Sequence, residues 1–99
     1  MIKGIVGCKV KKDEDVESLL LKLKSHAMQY PGFKGAENLV SEENTSIVAM
    51  VSTWEKLEDW RLWGESGITK ELFQEARTLL MEEPRVTTFK MITPQMTWA

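Results

Sequence analysis

Apolar and polar positions alternate with a period of two at the start of the chain. Across Ile2 to Val10, residues Ile2, Val6, Cys8 and Val10 share one face with Gly4, while Lys3, Ile5, Gly7 and Lys9 take the other, which predicts a β-strand. Gly4 and Gly7 remove side chains from its centre, which suits close backbone packing or a bulge and equally leaves floor for a ligand. The period then lengthens. Val16, Leu19, Leu20, Leu23 and Ala27 recur at helical spacing, with Lys22 and Lys24 outside the stripe. Asp13 is expected to cap this helix, and Glu14, Asp15 and Glu17 place negative charge where the helix dipole favours it. Pro31-Gly32 ends the segment.

Phe33 to Val40 and Ser46 to Trp54 read as the second and third strands, joined by the polar loop Ser41 to Thr45, in which Asn44 is expected to adopt a left-handed conformation. Within the third strand, Ile47-Val48-Ala49-Met50-Val51 is apolar on both faces and demands cover on both. One helical layer covers one side of a sheet, so a second copy of the chain is expected on the other. Leu57 to Trp63 predicts a short helix, broken between Gly64 and Gly67, with Ser66 as the cap of the next. That next helix is expected from Ile68 to about Glu82, with Ile68, Leu72, Phe73, Ala76, Leu79 and Leu80 inward and Pro84 as its stop. Val86 to Ile92 reads as the fourth strand, and a tail through Pro94 and Met96 to Trp98 is expected to dock across a subunit boundary. The order is that of an α+β, ferredoxin-like β-α-β-β-α-β fold: a four-stranded antiparallel sheet with its helices on one face.

Composition narrows the partners. Ninety-nine residues fit a single domain spanning 1–99, and 42% hydrophobic content is enough for a two-layer core. Thirteen basic against fifteen acidic residues give a net charge of −2, with no basic stripe, which argues against nucleic acid. No apolar run approaches the ~18 residues of a membrane span, and no signal-peptide apolar region opens the chain. The lone cysteine, Cys8, excludes an intrachain disulfide and fits a reducing cytoplasm. One His and one Cys cannot build a zinc site, so no metal is expected.

The candidate chemistry is aromatic. Three of the four tryptophans lie between Ser52 and Ser66, and three so close together must be deeply packed or must line something. Trp63 is core or cavity wall, with Trp60 on a neighbouring part of the same helix face; Trp54 anchors the helix that follows or faces the same interior. His26 sits at a helix edge or serves as a general base, for which its unperturbed pKa of ~6.5 is suited. Asn38 faces a partner or a pocket. Glu55, Glu58 and Asp59 form a solvated first helical turn. Cys8 is most simply a small buried hydrophobe.

Pro31-Gly32-Phe33, then Thr53-Trp54-Glu55 with Glu58-Asp59-Trp60 and Trp63, then Ser66, together resemble the antibiotic biosynthesis monooxygenase (ABM) family. The resemblance covers essentially the whole chain and implies a dimeric α+β barrel, a homodimer through the open sheet face, with a cavity between sheet and helices in each subunit. It includes cofactor-independent oxygenases of phenols and quinones, and enzymes that degrade haem. The haem-degrading pattern wants a histidine ten residues after Trp63, where this chain has Phe73, and an asparagine on the first strand, where the nearest equivalent is Cys8. Phenylalanine has no lone pair for iron, so haem is not favoured as a cofactor and none is expected. The oxygenase branch needs an apolar pocket for a small aromatic or quinol-like substrate, with Trp63, Trp54, Phe33, Phe73 and Tyr30 as wall candidates and His26, Asn38 and Asp59 as polar ones. The competing reading is a non-catalytic dimeric module that binds a small apolar ligand or serves only in assembly.

Overall fold

The computed structural model describes residues 1–92; the tail through Pro94, Met96 and Trp98, expected to dock across a subunit boundary, lies outside them. The elements run β1 (Ile2–Lys9), α1 (Glu17–Ala27), β2 (Phe33–Val40), β3 (Ile47–Trp54), α2 (Leu57–Glu65), α3 (Gly67–Arg77) and β4 (Arg85–Lys90). They form one four-stranded sheet in the order β2-β3-β1-β4, with every neighbouring pair antiparallel. This is the ferredoxin-like arrangement, its second helical region split in two.

Register decides which side chains meet the helices. Val6 pairs with Met50 and Val86, Gly4 with Ser52, and Ile2 with Trp54, so these share the helix-covered face. Against them pack Val16, Leu20, Leu23 and Ala27 of the α1 stripe, together with Trp63 and Leu80. Period-two alternation then puts Ile5, Val51, Ala49, Leu39 and Phe89 on the opposite face, where no element among the described residues covers them. Two glycines are fixed by close approach. A Cβ on Gly4 would collide with the indole of Trp60, and one on Gly32 with the Asp59 carboxylate. Gly32 also takes φ +83°, which favours glycine.

Four details depart from the expectations above. Asp13 does not cap α1; it occupies a left-handed turn at φ 65°, and the helix begins four residues later at Glu17, whose N–H donates to Asp15 Oδ1 at 2.9 Å. Asn44 is not left-handed. Its side-chain oxygen instead accepts from Ser46 N at 3.1 Å and Ser46 Oγ at 2.6 Å, which closes the loop as a local side-chain turn. Ile68 is exposed and Thr69 is fully buried, because Ser66 starts α3 at Gly67 and thereby sets its phase. Finally, α3 stops at Arg77 rather than near Glu82. Residues 79–81 leave the helix to join the end of the sheet: Lys11 N donates to Leu79 O at 2.9 Å and Met81 N to Lys9 O at 2.8 Å. Among the described residues, no helix is long and apolar enough to cross a membrane.

Candidate functional site

The aromatic residues of the central stretch form a connected row. Phe33 at the start of β2 meets Trp54 edge-on at 5.2 Å, Trp54 meets Trp63 at 5.6 Å, and Trp63 meets Phe73 edge-on at 6.4 Å. Strand β3 delivers Trp54 into the interior, where it is fully buried and its Nε1 donates to Ser52 Oγ at 2.9 Å. Helix α2 carries Trp63, and α3 carries Phe73.

At the far end of this row lies a cavity of about 340 Å³ that opens to solvent on one side. Val6 and Val86 line it from the sheet, Trp60 and Trp63 from α2, and Phe73 from α3. Charged side chains of Arg61, Glu65, Lys70 and Arg77 also border it. The volume and the mainly apolar walls suit a small aromatic molecule. Trp54 and Phe33 stand behind Trp63 and do not reach the cavity; they hold the wall in place.

Two wall atoms stand out. The indole N–H groups of Trp60 and Trp63 are buried and have no hydrogen-bond partner among the described residues. A buried donor without an acceptor costs about 1–3 kcal/mol, and neither nitrogen presents accessible surface to the cavity: that of Trp60 is packed against the backbone at Gly4, so this cost belongs to the packing of the wall. The central stretch announced Trp60 as a neighbour of Trp63. Its contribution to the wall shows only once Gly4 lets its ring settle against the sheet.

The other candidate residues are dispersed. His26 Nε2 lies 3.0 Å from Ser66 Oγ, which in turn pairs with Thr69 Oγ1 at 2.9 Å and accepts from Thr69 N at 3.2 Å as the cap of α3. This chain of polar groups ties α1 to the α2–α3 junction, outside the cavity. Tyr30 packs edge-on against His26 at 5.1 Å. Asp59 sits over Gly32 at the foot of α2. Asn38 shares the helix-covered face but stands on the edge strand, where it is exposed and borders a separate open hollow beside the start of α1.

No imidazole or thiolate lines the cavity, and Phe73 offers iron no lone pair, so the donor set does not fit a haem. Among the described residues, no three His, Cys, Asp or Glu side chains are grouped to hold a metal ion. Cys8 is buried on the helix-covered face, and burial pushes its thiol above the usual range. A raised folded-state value favours the protonated thiol, so its contribution to stability is complete below the unfolded thiol's ~8.5 and is lost as pH rises beyond that. Urea unfolding at pH 8 and pH 10 is expected to show a steeper loss of stability for the native chain than for Cys8→Ala. Equal slopes would contradict this.

Comparison with known proteins follows the same outline. The family model described as antibiotic biosynthesis monooxygenase matches residues 8–79. No curated protein matches the sequence. Among solved structures, a conserved protein from Methanosarcina mazei Go1 is 20% identical with a TM-score of 0.82, covering 90% of each chain. Rv0793 from Mycobacterium tuberculosis is 12% identical with a TM-score of 0.84, covering 93% of this chain and 95% of that one. SnoaB, a cofactor-independent oxygenase from Streptomyces nogalater, is 13% identical with a TM-score of 0.81, covering 95% of this chain and 97% of that one. At these identities the structural likeness speaks for the fold, while the family match spans well over half of the sequence: the chain belongs to the antibiotic biosynthesis monooxygenase family.

Proposed function

We propose that the protein is a cofactor-independent monooxygenase acting on a small aromatic or quinol-like substrate held in the cavity beside Trp63. The observation that carries this reading is the pocket of about 340 Å³ walled by Trp60, Trp63 and Phe73, a size and lining suited to a small aromatic ring. An ionised phenol is electron-rich enough to reduce dioxygen by one electron. Recombination of the resulting radical with superoxide forms a C–O bond at a free ring position, and loss of water from the hydroperoxide leaves a carbonyl. The balance is one phenol plus one dioxygen giving one quinone plus one water, with no external reductant. In this scheme the protein binds the ring and orients it against the aromatic wall of the pocket. Family membership and the SnoaB description support the choice of reaction.

The test is oxygen uptake with a panel of naphthols, anthrones and hydroquinones. Phe73→Ala removes one aromatic wall of the pocket, and is expected to lower kcat/KM about tenfold. Gly64→Leu fills the cavity: a Cβ at Gly64 meets nothing within 4 Å, and leucine is a better helix residue. It is expected to abolish uptake while keeping the fold. No uptake with any compound removes the oxygenase reading. A second reading, a non-catalytic module that binds a small apolar ligand, is favoured by the lack of any lining base other than Glu65. It predicts saturable binding without oxygen consumption.

The open sheet face belongs to the same proposal. Ile5 pairs with Val51, and Gly7 with Ala49, which pairs in turn with Leu39; together they form an apolar centre flanked by Lys3, Lys9, Arg85 and Glu37. A second copy of the chain, laid face to face, would cover this surface with an identical patch. The buried lone thiol fits a cytoplasmic setting.

A further inference from the structure

We infer that the cavity selects substrates carrying an anionic substituent, with Arg61 and Lys70 as the residues that set this specificity; the inference rests on the oxygenase reading above. Three of the four charged side chains that border the cavity are cationic, although the chain as a whole carries a net charge of −2. Arg77 is held by Glu83, with Nε 2.8 Å from the carboxylate. Arg61 and Lys70, by contrast, have no ion-pair partner among the described residues. They come from different helices, Arg61 from α2 and Lys70 from α3, and so border the cavity from two sides. Glu65, the one acid there, lies one helical turn beyond Arg61 and forms no ion pair with it.

The aromatic and the cationic parts of the lining are suited to different parts of one molecule. The rings of Trp60, Trp63 and Phe73 are apolar, which suits the aromatic body of a phenol. The guanidinium and ammonium are exposed and charged, which suits a carboxylate left near solvent. A ring system bearing a hydroxyl at one end and a carboxylate near the other satisfies both. Solvent screening keeps the charge contribution modest, on the order of tenfold in affinity, and makes it dependent on salt.

Equilibrium titration under nitrogen, read by quenching of tryptophan fluorescence, compares 6-hydroxy-2-naphthoate with its methyl ester, which keeps the ring and hydroxyl but loses the charge. The acid is expected to bind about tenfold tighter at 20 mM salt, with the gap closing at 500 mM and in the Arg61→Gln/Lys70→Gln double variant. Both substitutions are at exposed positions, and a thermal melt confirms that the variant is folded. An ester that binds as tightly as the acid while oxygen uptake persists overturns the inference and leaves the oxygenase reading standing. If neither compound binds and no phenol in the panel is oxidised, the oxygenase reading fails and this inference falls with it.

Discussion

Replacing Trp54 with alanine is expected to cost about 3–5 kcal/mol of unfolding free energy, the range seen when large buried aromatics are truncated. The side chain is fully buried at the centre of the aromatic row, with Phe33 on one side and Trp63 on the other. Its N–H is also the donor to Ser52 Oγ, whose hydroxyl lies 3.4 Å from Gly4 O, so the truncation weakens a buried polar link between β1 and β3 as well as the packing. For a domain of this length the loss corresponds to roughly 15–25 °C in Tm, a large share of the ~5–15 kcal/mol that holds such a domain together. Trp54→Phe retains most of the ring contact and leaves the Ser52 hydroxyl its acceptor at Gly4, and should cost less. Leu62→Ala, on the exposed face of α2, should stay within about 0.5 kcal/mol of the native chain. Urea melts of the three variants decide it. A Trp54→Ala chain within 1 kcal/mol of native would show that the row is not the centre of the core.

The elements with one dominant apolar stripe were legible from residue types alone. The α1 stripe Val16, Leu19, Leu20, Leu23 and Ala27 is buried as its spacing predicts, and Ser66 caps α3 through Thr69 N. Where local rules misled, a longer-range or competing contact took over. Spacing alone carried α3 to Glu82, but the backbone of residues 79–81 is drawn to the end of β1, a pairing between residues about seventy positions apart. Ile68 looked like a buried residue until the cap turned the helix by one position and gave that place to Thr69. Asp13 and Asn44 are both common in caps and turns, and residue type does not say which conformation each adopts. The cavity was half legible. Trp63 and Phe73 follow from the family spacing, but no motif or spacing singles out Arg61 and Lys70. Only the packing of α2 beside α3 brings their side chains to one cavity. His26, Asp59 and Asn38 have the right chemistry for a site, yet the fold assigns them to the α1–α3 tie, the Gly32 turn and the sheet edge.

Val51→Lys is expected to leave the fold intact and break the assembly. In a lone subunit the new ammonium points to solvent from the open face, and Glu37 stands directly opposite on β2 to pair with it. In a face-to-face pair the same substitution places one ammonium from each copy in an apolar centre formed by Ile5, Ala49 and Leu39. Like charges brought together there cost several kcal/mol, which corresponds to a rise in the dissociation constant of at least about a hundredfold. Sedimentation equilibrium at micromolar concentration should show the native chain at about twice 11.4 kDa and the variant at 11.4 kDa, both with the same far-ultraviolet circular dichroism. The double-sided apolar character of β3 is the physical reason to expect this, because one helical layer leaves half of that strand's side chains wet. A native chain that sediments as a stable single subunit would mean that Ile5, Val51 and Phe89 tolerate water, and the proposed second copy would have no surface to cover.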